Sequence, residues 1–107
     1  MTTESVKWEE SETFKSLQGK PHLGFAIKGW RKCEEITQTE LAKQLGISKQ
    51  LLSRYEAGQQ LPSLQRTMEI AQALDAPVGL WLQYRLNDEM ARMGLNATIT
   101  VVFKEAV

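Results

Sequence analysis

Apolar residues recur at helical spacing from about residue 23 to residue 93, and the pattern then switches to strict alternation. Leu23, Ile27 and Trp30 repeat at i, i+4 and i+7. That spacing predicts a first helix over 23–34, with Lys28, Arg31 and Lys32 on its charged side and Trp30 as a core anchor. Leu41 and Leu45 stand one turn apart and predict a second, short helix; Leu52 and Tyr55 predict a third. Leu64, Met68, Ala71 and Leu74 predict a fourth, entered through Pro62 and a Ser63 cap. Asp75-Ala76-Pro77 opens a fifth that runs to about Met93 and stops at Gly94. It carries two stripes, Leu82/Leu86/Met90/Met93 and Val78/Trp81/Tyr84/Arg85, more apolar surface than a five-helix domain needs. The surplus points to a second subunit or to cover by the N-terminal arm.

The alternation lies at 96–104, NATITVVFK, where Ile99, Val101 and Phe103 face one way and Thr98, Thr100 and Val102 the other. It predicts a β-strand. A solitary strand leaves its own backbone groups unpaired, so it needs a partner. The same strand of a second copy, antiparallel across a two-fold axis, is the favoured one. The Val6–Trp8 stretch and the sheet edge of another protein are the alternatives. Residues 1–22 form an arm with only scattered apolar positions, Val6, Trp8, Phe14 and Leu17, before the break at Gly19-Lys20-Pro21. The arm is expected to be partly disordered or to order against a partner.

Between the second and third helices the local chemistry is dense. Thr37 is an N-cap and Glu40, three residues on, completes a capping box. Gly46 ends the helix, because glycine takes the left-handed conformation at little cost. Ile47 fills the corner, Ser48 caps the next helix, and Ala42 is small enough to let two helices cross closely. Lys49, Gln50, Ser53 and Arg54 then fall on the outer face. Glutamine pairs in bidentate fashion with adenine, and arginine or lysine with guanine, so this face suits the edges of base pairs.

Counted from Gln38, the segment resembles the helix-turn-helix of the phage Cro/repressor (Xre-type) family. The resemblance runs through Ala42, Gly46 and the apolar set Leu41, Leu45, Ile47, Leu52 and Tyr55. It covers about 23–74 and implies a mainly α, five-helix, lambda-repressor-like DNA-binding domain, here with a C-terminal β-strand. It also implies an ion pair between Arg31 and Glu56 and a phosphate-binding role for Gln38. The division expected is an arm at 1–22, the helix-turn-helix domain at 23–75, and a dimerisation region at 76–107 built on Ile99, Val101 and Phe103. Base contacts are expected from Lys49, Gln50, Leu51, Ser53 and Arg54. Phosphate contacts are expected from Gln38, Ser48, Gln59, Gln60, Gln65 and Arg66, partly because helix N-termini attract phosphates.

Charge refines this picture. Thirteen basic and thirteen acidic residues cancel over 107 residues, so nucleic-acid affinity must come from local placement rather than from bulk charge. The single histidine and single cysteine offer no catalytic triad and no metal-ligand cluster, and there is no glycine-rich phosphate loop. An enzyme, a metal and a cofactor are therefore not expected. No apolar run is long enough for a membrane span, the opening MTTESVKWEE does not read as a signal peptide, and Cys33 alone suits a reducing cytoplasm. The reading is a cytoplasmic, homodimeric regulator, most simply a repressor, that binds double-stranded DNA at a palindromic operator. One alternative is an antitoxin that also masks a toxin protein, since some antitoxin repressors of the family end in a strand. Another is a protein-interaction module of the same fold that does not touch DNA.

Overall fold

The structure, a computed structural model, describes residues 22–95, 97–102 and 104. The expectations for 1–21 and for Phe103 lie outside the described residues. Five helices follow one another: α1 His22–Cys33, α2 Gln38–Leu45, α3 Lys49–Ala57, α4 Leu64–Ala73 and α5 Val78–Arg92. α1 packs on α3 and α5, while α4 packs on α2 and α5. Every helix contributes to one core: Leu23 and Ile27, Leu41 and Ala42, Leu52 and Tyr55, Ile70 and Ala71, and Trp81, with Leu74 closing α4.

Three sequence expectations need correction. The inward face of α4 is Thr67, Ile70, Ala71 and Leu74, whereas Leu64 is 46% exposed. Apolar spacing cannot foresee a buried threonine. Here the Thr67 hydroxyl donates to the Ser63 carbonyl at 2.8 Å, which satisfies the polar group and lets the methyl pack inward. Trp30 is not the core anchor, being 37% exposed against 1% for Trp81. Its ring meets Trp81 edge-on at 6.0 Å and its indole N–H donates to the Leu74 carbonyl at 3.0 Å, so it covers the core from outside.

The third concerns the C-terminal strand: among the described residues there is none. Side chains of α5 take the place of a neighbouring strand. Asn87 accepts the Ile99 N–H at 2.6 Å and donates to the Ile99 carbonyl at 3.1 Å. Gln83, one turn earlier, accepts the Val101 N–H at 3.1 Å. Alternate residues thus turn their backbone groups to the helix, which satisfies those groups without a ladder.

Two features of α1 position everything downstream. Its first turn holds no acid of its own, and the buried Asp88 of α5 accepts the Leu23 N–H at 2.9 Å instead, capping α1 from across the fold. Gly24 sits where α1 crosses the end of α3. A Cβ there would lie 2.5 Å from the Glu56 carbonyl oxygen and 2.7 Å from that of Tyr55. Gly29, on the same helix, has nothing within 4 Å of such an atom. Gly24→Ala is therefore expected to cost about 1–3 kcal/mol through forced separation of the helices. Gly29→Ala should be neutral or stabilise by up to about 1 kcal/mol. Denaturant unfolding of the two variants checks this; equal effects would remove the close approach as a constraint.

Candidate nucleic-acid interface

The turn between α2 and α3 is built from local chemistry. The Thr37 hydroxyl accepts the Glu40 N–H at 3.1 Å and the Glu40 carboxylate accepts the Thr37 N–H at 2.9 Å, closing the capping box. The Thr37 backbone N–H, and then its hydroxyl, hold the Glu40 carboxyl below its ordinary pKa. Because that value is lowered by folding, the cap contributes at neutral pH and is lost as pH falls through it. Gly46 takes φ 69°, left-handed, and the Gly46 and Ile47 N–H groups bond back to Lys43 and Ala42 at 3.2 and 3.0 Å. Ser48 caps α3 by accepting the Leu51 N–H at 3.0 Å. Ala42 is 2% exposed at the contact between helices, where a larger side chain would push them apart.

Glu56 locks α3 in rotation. Its carboxylate accepts Arg31 Nε at 2.8 Å and Arg31 Nη2 at 3.0 Å, a two-toothed fork, and Gln38 Nε2 at 2.9 Å. Arg31 Nη1 also reaches the Ile36 carbonyl at 2.9 Å. Both charged residues are buried, at 8% exposure each. One acid therefore ties together α1, the start of α2 and the end of α3.

With Leu52, Tyr55 and Glu56 turned inward, the opposite side of α3 faces out. An open groove of about 390 Å³ is lined by Gln38, Lys49, Gln50, Ser53, Arg54 and Gln59. Lys49, Gln50, Ser53 and Arg54 are exposed. Two cations, amides and a hydroxyl converge there, with no acid among the described residues that line it. The remaining candidates sit around this groove rather than in it. Leu51 is half-buried against the core. Gln60 and Gln65 are exposed. Arg66 Nη1 is engaged by the Leu45 carbonyl at 3.2 Å and by Glu69 at 3.0 Å, a brace between α4 and the end of α2. Ile99 and Val101 lie along α5, away from these contacts.

A family model described as helix-turn-helix matches residues 27–81, the span from the middle of α1 into α5. The chain belongs to that family. It is also similar to the ImmF control region 10 kDa protein of Bacillus phage phi105, with 47% identity over 55 residues, 51% of this chain. That match spans only 60% of the phage protein's length. Among solved structures, SinR, described as the master regulator for biofilm formation in complex with DNA, superposes at a TM-score of 0.52 with 34% identity. The superposition covers 56% of this chain and 97% of the SinR chain. A helix-turn-helix protein of this kind is a binding protein and not an enzyme.

Sequence reasoning overlooked four positioning residues: Gly24, Asp88, Arg85 and Arg92. The last two reach carbonyls at the ends of the loop after α3, Arg92 that of Gly58 and Arg85 that of Pro62 at 2.7 Å. Their spacing of seven residues on one helix was the available signal, since it puts both near one face. Removing the guanidinium from the buried fork is the sharpest test of the inner side of the site. Arg31→Ala leaves the Glu56 carboxylate without its charged partner and is expected to cost ~3–5 kcal/mol, read by chemical denaturation. A loss below 1 kcal/mol would mean that the pair does not hold α3.

Proposed function

We propose that this protein is a sequence-specific DNA-binding transcriptional regulator that presents α3 to the major groove. The groove of Lys49, Gln50, Ser53 and Arg54 carries this reading: hydrogen-bonding and cationic groups gathered on the outer side of a capped helix. Among the described residues none of these side chains is engaged by another protein group, so they are free to meet base edges. That SinR is described in complex with DNA supports the same reading, as does the control-region name of the phage relative.

Lys49, Gln50 and Arg54 read bases, Ser53 assists, and Leu51 offers its exposed edge to a thymine methyl. Gln38 grips a phosphate with the amide hydrogen that Glu56 does not use. Ser48, Gln59, Gln60, Gln65 and the free nitrogens of Arg66 supply further backbone contacts. The protein acts as a homodimer in the cytoplasm, with two α3 helices roughly 34–36 Å apart over a palindrome, and represses by occupying the promoter. The C-terminal segment supplies the dimer contact. Residues 99 and 101 turn their backbone toward α5, which leaves those of 98, 100 and 102 for a second copy. Val102, 80% exposed, marks that outer edge.

Gln50→Ala and Arg54→Ala are each expected to cost ~1–3 kcal/mol of specific binding and to relax preference at one base position. Selection from a random DNA pool, followed by titration of the selected site, measures both. Unchanged affinity and preference in the two variants would overturn the base-reading assignment. Truncation after Gly94 should convert a dimer to a monomer by light scattering; a truncated chain that stays dimeric would remove the C-terminal segment from the interface.

A further inference from the structure

We propose that Arg92, with Arg85, positions the loop that follows α3 and so holds Gln59 against the DNA backbone, without either arginine touching DNA. This rests on the DNA-binding reading above and adds to it a role for α5. Gln59 lines the same groove as Gln38, Lys49, Gln50, Ser53 and Arg54. Its place there is set by the peptide that joins it to Gly58. On one side of that peptide the Gln59 N–H donates to the Arg54 carbonyl at 2.9 Å. On the other, the Gly58 carbonyl accepts from Arg92 Nη2. Gly58 is left-handed at φ 75°, and a peptide beside glycine turns over with little steric resistance, so an outside hold on its carbonyl matters. At the far end of the loop the Pro62 carbonyl accepts Arg85 Nε at 2.7 Å, and Arg85 is itself steadied by Glu89 one turn along α5.

The two guanidinium groups draw the loop's end carbonyls toward α5. The backbone N–H groups of Gln59 and Gln60 both point to the Arg54 carbonyl. What the loop offers outward is therefore the neutral side-chain amides of Gln59 and Gln60. This makes the role separable by salt. A lysine or arginine that neutralises a phosphate contributes about −0.9 to the slope of log affinity against log salt, whereas a neutral amide releases no counterion.

The test uses the full-length protein on its selected site. Arg92 is exposed, so Arg92→Ala is expected to leave the helical fold intact. Affinity should fall roughly tenfold, the loss of one hydrogen bond to a charged group, with the salt slope and the base preference unchanged. Arg92→Lys, which keeps a donor within reach of the carbonyl, should recover part of the loss. The double variant Arg92→Ala/Gln59→Ala should bind no more weakly than Gln59→Ala alone, because the arginine acts through that glutamine. A slope shallower by about 0.9 in Arg92→Ala would make Arg92 a direct phosphate ligand and overturn the positioning role. So would additive losses in the double variant, or a wild-type affinity in Arg92→Ala. Failure of the wild-type protein to select any DNA sequence would instead overturn the DNA-binding reading, and this role with it.

Discussion

The orientation of the outward face of α3 depends on a carboxylate that never reaches it. Glu56 is buried with three donors around it, two from Arg31 and one from Gln38. A buried ion pair is weak evidence of stability, because desolvating both charges costs about as much as their attraction returns. Its value here is geometric. An α-helix turns about 100° per residue, so residues two apart point about 200° away from each other. Pinning Glu56 inward therefore turns Arg54 outward, and Gln50, one turn before Arg54, follows it. A salt bridge that contributed nothing net to folding would still fix which face of α3 meets solvent.

Backbone proximity enforces the same geometry. The fork can close only if α1 comes right up to the last turn of α3, and Gly24 permits that by presenting no side chain to the Tyr55 and Glu56 carbonyls. The consequence is electrostatic as well as steric. Glu56, an acid near the end of α3, is withdrawn into a neutralised pair, leaving Lys49 and Arg54 in a groove that, among the described residues, no acid lines. A chain whose thirteen positive and thirteen negative residues cancel thus gathers two cations and, among the described residues, no acid in one groove. Position, and not the total, decides what such a protein attracts.

Much of this was legible in the sequence wherever the cause was local. Thr37, Glu40, Gly46 and Ser48 act over three or four residues, so the turn and the boundaries of α2 and α3 follow from capping chemistry alone. The outward set of Lys49, Gln50, Ser53 and Arg54 follows from helical periodicity once Leu52 and Tyr55 are taken as inward. What periodicity cannot supply is the identity of a distant partner. Thr67 packs inward because its hydroxyl bonds to the preceding turn, a choice that an apolar count at Leu64 and Met68 misjudges. The alternation at 97–102 is real but ambiguous, since helix amides at Gln83 and Asn87 satisfy alternate backbone groups as a strand would. Arg85 reads only as a member of a stripe with Val78, Trp81 and Tyr84, and Asp88 and Arg92 carry no local signal, until the fold brings α1 and the loop after α3 to them.

Those polar residues change what α5 is. By its apolar stripes it reads as a helix with surface to spare for a second subunit. By its contacts it is the frame of the molecule: Asp88 caps α1, Arg85 and Arg92 hold the two ends of the loop beyond α3, and Gln83 and Asn87 carry the C-terminal segment. Each of these partners is a backbone group rather than a side chain. Backbone partners persist through most substitutions of the residues that bear them, so α5 constrains the path of the chain while leaving its side chains free to vary. The side chains of Lys49, Gln50 and Arg54, which none of the described residues engages, can then change while the frame behind them stays the same.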